Sequence, residues 1–242
     1  MKRFFTYIIV LLYAVTAFAQ NYNELSGVKI TNDFLIGKTD FLQDTNFIKI
    51  AEKYTSLRSY NAYTQKATYD AFKKMYYAAL KDGIILKVIS SSRNFWVQKY
   101  IWESKWKKNK IANKKERAKH ILRYNAMPGI SRHHWGTELD FISTKVEFWE
   151  TEKGQKVYNW LKENAYKYGF YQPYTNKKDN NRDGFNEEKW HWSYFPLSNE
   201  YLKRYKTDIN YTNFPKFLGG EYIRELQIIE KYVYGVSTPP NN

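Results

Sequence analysis

Two short polar stretches, about fifty residues apart, constrain this sequence more than any other feature. Residues 128–140 read PGISRHHWGTELD, and residues 187–192 read EEKWHW. His133 and His191 offer imidazole nitrogens, and Asp140 offers a carboxylate oxygen. Two nitrogens and one oxygen are the ligand set of a catalytic zinc site that keeps its fourth position open. We therefore interpret these three residues as metal ligands, which requires a fold that brings the two stretches together.

Strand periodicity shows how the two stretches could meet. Residues 137–141, TELDF, predict a short strand, and residues 188–192, EKWHW, predict a second one. If the two strands pair, His191 can lie opposite Asp140. In a regular strand, however, Glu188 and His191 would point to opposite faces. Glu188 must therefore lie at a bend or bulge before the strand if it is to reach the same metal ion.

The full strings S-x-H-x-x-G-x-x-x-D and E-x-W-H resemble the signature of the zinc D-Ala-D-Ala carboxypeptidases and dipeptidases. The metal fold of this cell-wall peptidase family is shared with the hedgehog signalling domain. The resemblance extends over roughly residues 64–194. It implies one Zn²⁺ per chain and assigns Glu188 as the general base that activates water.

A second element of the family, S-x-x-R-S-x-x-x-Q, corresponds to residues 90–98, with Asn94 in place of the second serine. The resemblance implies that Arg93 binds a substrate carboxylate or polarises the carbonyl at the metal. Ordinary alternatives for the polar residues are a surface side chain or a turn cap, and for the aromatic ones a place in the core. The remaining candidate substrate contacts are Gln98, Ser131, Tyr174 and Trp190.

Three residues depart from the family pattern. Pro173 stands where an arginine is expected, which leaves the role of the neighbouring Tyr174 open. Glu138 occupies a position that is often alanine, and Ser193 follows the second motif where arginine is common. We expect these last two departures to affect the choice of substrate more than the chemistry.

The first 19 residues predict a secretory signal peptide. Lys2 and Arg3 precede the apolar residues 4–18, and AFA at 17–19 matches the small-x-small cleavage pattern. A retained anchor is the alternative, although the apolar stretch is shorter than the roughly 20 residues that span a bilayer. Cleavage would remove two of the 15 net positive charges and leave 15 − 2 = 13. The absence of cysteine excludes a disulfide framework.

A strongly basic exported protein is expected to meet an anionic wall or envelope surface rather than nucleic acid. The basic runs at residues 105–110 and 114–119 fit solvated helix faces equally well. We expect a monomer in the periplasm or at the cell wall, with no specific nucleic-acid partner and no membrane span after signal cleavage. The partner that the resemblance implies is the peptidoglycan stem peptide.

The remaining pattern predicts an α+β fold, in which helices flank a small, mainly antiparallel sheet that carries the site. Residues 20–61 form an irregular lead-in, 62–205 the catalytic domain, and 206–242 a C-terminal helical extension with a disordered tail. Hydrophobic periodicity predicts helices over 62–80, 94–108, 111–124, 151–168 and 221–234, and strands over 84–89 and 169–174.

The sequence thus predicts a zinc metallopeptidase that hydrolyses peptidoglycan stem peptides, with the D-alanyl-D-alanine carboxypeptidase reaction as the leading expectation from the resemblance. A dipeptidase, an endopeptidase and an L,D-carboxypeptidase are alternatives within the enzyme class. A zinc-bearing module that binds cell wall without hydrolysing it is an alternative from another class. Glu188 distinguishes the classes, because a pure binder has no need of an unpaired carboxylate beside its metal.

Overall fold

The computed structural model describes residues 27–56 and 62–239, so the predicted signal peptide lies outside the described residues. The strands are β1 (Phe47–Lys49), β2 (Tyr63–Gln65), β3 (Val88–Ser90), β4 (Glu138–Phe141), β5 (Phe170–Tyr171) and β6 (His191–Tyr194). The α-helices are α1 (Asn32–Leu35), α2 (Lys66–Lys81), α3 (Phe95–Lys108), α4 (Lys114–Ile121), α5 (Glu152–Asn164), α6 (Lys177–Asn180) and α7 (Phe195–Asp208). Within these two ranges, no helix is both long and apolar enough to cross a membrane.

A four-stranded sheet in the order β3-β4-β6-β5 carries both polar stretches. All neighbouring strands are antiparallel, and Asp140 lies opposite His191, as strand periodicity predicts. β3 meets the other side of β4 with Ser90 opposite Asp140 and a register shift between Val88 and Ser90. β1 and β2 form a separate antiparallel ribbon. The sheet therefore places Ser90, Asp140 and His191 side by side on three neighbouring strands.

Helices cover this sheet with apolar faces. α2 buries Phe72, Met75 and Ala79 at helical spacing, and the Phe72 ring stacks on Phe141 of β4 at a centroid distance of 5.6 Å. α5 continues into a 3-10 turn that ends at Gly169, where a left-handed φ of 80° stops the helix as predicted. The core is thus shared between the sheet and helices that are distant in the chain.

Several predicted elements are corrected by the structure, among them the strand expected over 188–192, which begins at His191. The helix expected from residue 62 begins at Lys66, because residues 63–65 instead extend and pair with β1. The buried strand expected over 84–89 is confined to Val88–Ser90. The helix expected over 221–234 is broken into a 3-10 turn, Gly220–Tyr222, and a π-helical turn, Ile229–Val233. Gln227 has a left-handed φ of 50°, which a continuous helix cannot accommodate.

The C-terminal segment folds back on the loop that precedes β6. The Ser237 N–H donates to the Pro173 carbonyl at 2.8 Å. Gly184 lies so close to the Lys231 backbone that a Cβ at this position would overlap the Lys231 carbonyl. Both contacts fall on the stretch of chain that leads to Glu188.

Candidate metal centre

The structure brings the three predicted ligands together although they come from three different elements. His133 lies in the 3-10 turn Arg132–Trp135, Asp140 lies on β4, and His191 begins β6. One ligand atom from each lies within 4.8 Å of the others. Asp140 Oδ2 is 3.4 Å from His133 Nε2, and Asp140 Oδ1 is 3.0 Å from His191 Nδ1. All three side chains are buried.

Hydrogen bonds orient one nitrogen of each imidazole toward Asp140. His133 Nδ1 lies 2.7 Å from the Ser91 carbonyl, which can only accept, so Nδ1 carries the proton. Its Nε2 has no hydrogen-bond partner within the described ranges. His191 Nε2 lies 2.8 Å from Glu138 Oε2, which leaves Nδ1 directed at Asp140. Two nitrogens and one carboxylate oxygen around a buried point are donors that fit Zn²⁺.

Glu188 lies in the turn immediately before β6, as the parity argument requires. The His191 N–H donates to the Glu188 carbonyl at 3.2 Å, and Glu188 Oε2 comes within 3.8 Å of His191 Nδ1. Burial raises the pKa of Glu188 to about 8; His191 and Arg93 oppose this shift, and the charge of Asp140 adds to it. A carboxyl group that titrates near neutral pH beside a metal site is well placed to exchange a proton.

The ionisable groups of the centre pair with one another. Burial lowers the pKa of His191, but hydrogen bonds to Asp140 and Glu138 outweigh burial and raise the pKa to about 9. Burial likewise raises the pKa of Asp140, and His133 and His191 overcome it to hold this pKa well below its ordinary value. A metal ion that binds to His191 Nδ1 must therefore displace a proton.

Arg93 follows β3 and faces the same point. The backbone N–H of Arg93 donates to the His133 carbonyl at 3.0 Å. The residue lines a cavity of about 30 Å³ together with His133, Glu188 and His191. Burial lowers the pKa of Arg93, whereas the charges of Asp140 and Glu188 raise it. The guanidinium group is therefore in the field of both carboxylates at the cavity.

Buried polar atoms without partners concentrate around this cavity. Among the residues that the structure describes, eight buried side-chain nitrogen or oxygen atoms lack a hydrogen-bond partner, and four of them belong to the cavity-lining residues Arg93, Arg132 and His133. Buried polar groups in native proteins are nearly always paired. This concentration therefore identifies the cavity as the place where a ligand would complete the hydrogen bonding.

Comparison with known proteins identifies the family. The family model described as VanY, D-alanyl-D-alanine carboxypeptidase, matches residues 61–197, more than half of the 242-residue chain. The chain belongs to this family. The resemblance that the two polar stretches carry is thereby confirmed.

Relatives and solved structures agree with this assignment. The Bacillus subtilis protein YodJ is 35% identical over 136 residues, covering 54% of this chain and 46% of YodJ. The Enterococcus faecalis D-alanyl-D-alanine carboxypeptidase is 30% identical over 120 residues, covering 48% of this chain and 42% of the relative, so the chain spans about half the length of both. The solved structure of the LdcB LD-carboxypeptidase aligns over 78% of each chain with a TM-score of 0.50 and 23% identity, which confirms the predicted α+β fold.

Two of the predicted substrate contacts line the cavity of this VanY-family site. Ser131 precedes the 3-10 turn that holds His133, and Tyr174 is a second lining residue. The Tyr174 ring is 4.8 Å from the His191 ring, and both are buried. Their position allows contact with a substrate at the metal.

The other two predicted contacts have structural partners instead. The Gln98 amide donates to the Ala126 carbonyl at 2.7 Å and so holds the loop that reaches the cavity. Trp190 is buried and lines a neighbouring cavity of about 290 Å³, where its ring is 6.1 Å from that of Tyr124. The structure brings neither side chain to the lining of the metal-site cavity.

Sequence reasoning missed the role of His134, the residue beside a ligand. The Gly129 N–H donates to His134 Nε2 at 3.1 Å, and His134 Nδ1 donates to the Arg93 carbonyl at 2.7 Å. These bonds join the metal loop to the segment that carries Arg93. Burial lowers the pKa of His134 to about 3, so the ring stays neutral. A second histidine in a ligand motif gives no signal that would separate this role from metal binding.

Proposed function

We propose that this chain is a zinc-dependent D-alanyl-D-alanine carboxypeptidase that acts on peptidoglycan stem peptides. The observation that carries the proposal is the position of Glu188, with its carboxylate 3.8 Å from His191 Nδ1 and beside three convergent donors. Membership of the VanY family supports the substrate class. A module that only binds cell wall would have no use for this carboxylate.

Zinc would be held by His133 Nε2, Asp140 and His191 Nδ1, whose donor types and burial fit the ion. When bound, zinc supplies Lewis-acid polarisation of the carbonyl and of the attacking water. A cation at this point also favours the ionised form of Glu188, whose pKa burial otherwise raises to about 8. By holding a cation, the three ligands thereby favour the ionised form of Glu188, which can act as a base.

The chain's own residues then move one proton. Glu188 accepts a proton from water as the water oxygen bonds to the carbonyl carbon, and donates it to the leaving nitrogen as the C–N bond breaks. Arg93, whose Nε has no hydrogen-bond partner in the described part of the chain, would hold the carbonyl oxygen or the terminal carboxylate. The products are free D-alanine and a stem peptide that is one residue shorter.

The cavity favours a terminal residue over an internal one. Its lining includes Arg93, which lies beside the three candidate ligands. A guanidinium group at this place suits the carboxylate of a terminal alanine. We therefore rank a carboxypeptidase above an endopeptidase. We also propose that residues 1–19 direct export, so that the enzyme meets its substrate in the periplasm or wall.

The deciding experiment offers the mature protein a stem pentapeptide, a tetrapeptide and a cross-linked dimer, and measures released D-alanine and the masses of the products. The expected result is one D-alanine from the pentapeptide, lost with a chelator and restored by zinc. Release from the tetrapeptide alone would indicate an L,D-carboxypeptidase. Cleavage of the dimer alone would indicate an endopeptidase. Zinc and wall binding with no cleavage of any substrate would favour the binding module.

A further inference from the structure

Glu138 is a fully buried carboxylate that the proposed reaction does not use. It lies on β4 two residues before Asp140, on the same face of the strand. We propose that Glu138 is a positioning residue that holds the Nε2–H of His191, with Arg132 as its counter-ion, so that Nδ1 is fixed as a strong metal donor. This inference rests on the proposed zinc site.

The hydrogen bonds of Glu138 leave its carboxylate no freedom to rotate. One oxygen, Oε2, is 2.8 Å from His191 Nε2. The other oxygen, Oε1, accepts from the Ser193 hydroxyl at 2.7 Å and from the Thr137 hydroxyl at 3.0 Å, and lies 3.3 Å from Arg132 Nη2. Ser193 is the cross-strand partner of Glu138, so the register of the sheet itself sets this contact.

One carboxylate oxygen of Glu138 faces its counter-ion Arg132, and the other faces His191. Arg132 is buried, and its Nη2 also donates to Ser193 at 2.8 Å, so the counter-ion is fixed behind the carboxylate. The His191 ring occupies the opposite side of the carboxylate. A buried ion pair contributes little net stability compared with apolar residues of the same volume, so its presence here is better explained by what it orients.

The consequence for the metal follows from imidazole chemistry. Once zinc has displaced the proton on Nδ1, a ring that donates Nε2–H to a carboxylate presents its lone pair on Nδ1, the nitrogen that faces Asp140. The carboxylate also increases electron density on the ring, which makes Nδ1 a stronger ligand. His133 has only a neutral carbonyl, that of Ser91, in the corresponding place. The two histidines are therefore unequal ligands, and His191 is the stronger.

The test measures zinc affinity by competition with a chromophoric chelator in three variants. Glu138→Gln removes the charge, Arg132→Met with Glu138→Leu removes the whole pair, and Arg132→Met alone is the matched control that keeps the Glu138–His191 bond. We expect Glu138→Gln and the double variant to bind zinc about 10–100-fold more weakly, as for other partners of metal-bound histidines. Arg132→Met should lose less zinc affinity than either of these variants, because Glu138 loses its counter-ion but keeps its bond to His191.

A spectroscopic measurement separates positioning from general damage to the fold. In the zinc-loaded wild type, the His191 Nε2 proton should give a downfield, slowly exchanging NMR signal. In the double variant this signal should move upfield and exchange faster, while it persists in Arg132→Met. If Glu138→Gln does not fold, comparison of the double variant with Arg132→Met still decides.

Two outcomes would overturn the proposal. Wild-type zinc affinity in the double variant would reduce Glu138 to a counter-ion of Arg132. An equal loss in all three variants would show that the pair only maintains the core. Failure of the wild type to release D-alanine would refute the proposed function alone, because the order of zinc affinities is measured without substrate.

Discussion

Beneath the metal centre and on the surface of α3 and α4, charged side chains are arranged in opposite ways. Arg132 and Glu138 are buried and face each other. Lys105, Lys107 and Lys108 on α3 are exposed, and none of these three lies within 4 Å of a carboxylate of the described residues. Burial makes an unpaired charge very unfavourable, whereas water and salt screen an exposed one. The buried charges therefore fix the positions of neighbouring side chains, whereas the exposed lysines only contribute to the electrostatic potential at the surface.

The two regions border each other. A cavity of about 450 Å³ beside α3 and α4 is lined by Lys105, Lys108 and Arg123, and it shares Tyr124 and Asn125 with the metal-site cavity. A substrate that extends from the metal could therefore meet both kinds of charge. The comparison predicts that single changes at the centre have large effects on chemistry or stability, and that changes on the basic surface have small, salt-dependent ones.

The largest effect is expected at Glu188. Glu188→Gln keeps the size of the side chain but cannot accept a proton, so kcat should fall about 10²–10⁴-fold while zinc content stays unchanged. Glu187→Gln is the matched control, because Glu187 is the preceding residue and accepts a bond from Tyr158 at 3.1 Å. Turnover near the wild-type rate in Glu188→Gln would remove this residue from the mechanism.

Metal removal should have the next largest effect. Zinc at 100 times its Kd would stabilise the folded state by about 2.7 kcal/mol, which corresponds to a Tm shift of roughly 5–10 °C in a chain of this size. The measurement is thermal unfolding with zinc and with a chelator. His133→Ala should melt at one temperature under both conditions. A wild-type Tm that is equal with and without zinc would contradict a shared site.

Lowering the pH should reveal the contribution of His134 to the stability of the fold. Its pKa is about 3 in the folded protein and about 6.5 when unfolded, so below pH 6.5 the unfolded chain binds an extra proton. The contribution of neutral His134 to the free energy of unfolding is therefore complete above pH 6.5. It decreases as the pH falls toward 3, by at most about 1.4 kcal/mol per pH unit. Urea unfolding of zinc-free protein at several pH values should show a shallower decline in His134→Gln. Identical slopes would argue against a neutral buried ring.

The smallest effect is expected on the basic surface. Lys105→Gln with Lys108→Gln should lower kcat/KM for an anionic stem peptide by about two- to fivefold at low salt, through weaker electrostatic steering, and the loss should vanish at high salt. Lys107→Gln with Lys114→Gln makes the same charge change outside the cavity. Equal losses in both pairs would show that net charge matters rather than the cavity.

Much of the centre could be predicted because its logic is local. Ligand types and the period of a strand were sufficient to place His191 opposite Asp140 and to require a turn at Glu188, and the register and turn confirm both. These inferences need no knowledge of the rest of the fold. The cavity lining, by contrast, depends on how distant segments pack, which is why the Gln98 amide has a backbone partner instead.

The function of Glu138 could be anticipated only in part. Glu138 lies two residues before Asp140 in the predicted strand, but the sequence does not show that Ser193 and Arg132 converge on it. We expected Glu138 and Ser193 to affect substrate choice, and the structure places both directly beside His191. The prediction of a continuous C-terminal helix was wrong for a different reason. Gln227 adopts a left-handed conformation, which glutamine as a residue type does not predict.

The return of the C-terminal segment onto the loop before β6 has a consequence for biosynthesis. A chain that is synthesised from its N-terminus exposes Pro173 and Gly184 well before Lys231 and Ser237. The contacts between these residues can form only once the later segment has emerged. The turn that presents Glu188 is therefore completed late, only after the residues up to Ser237 have been synthesised.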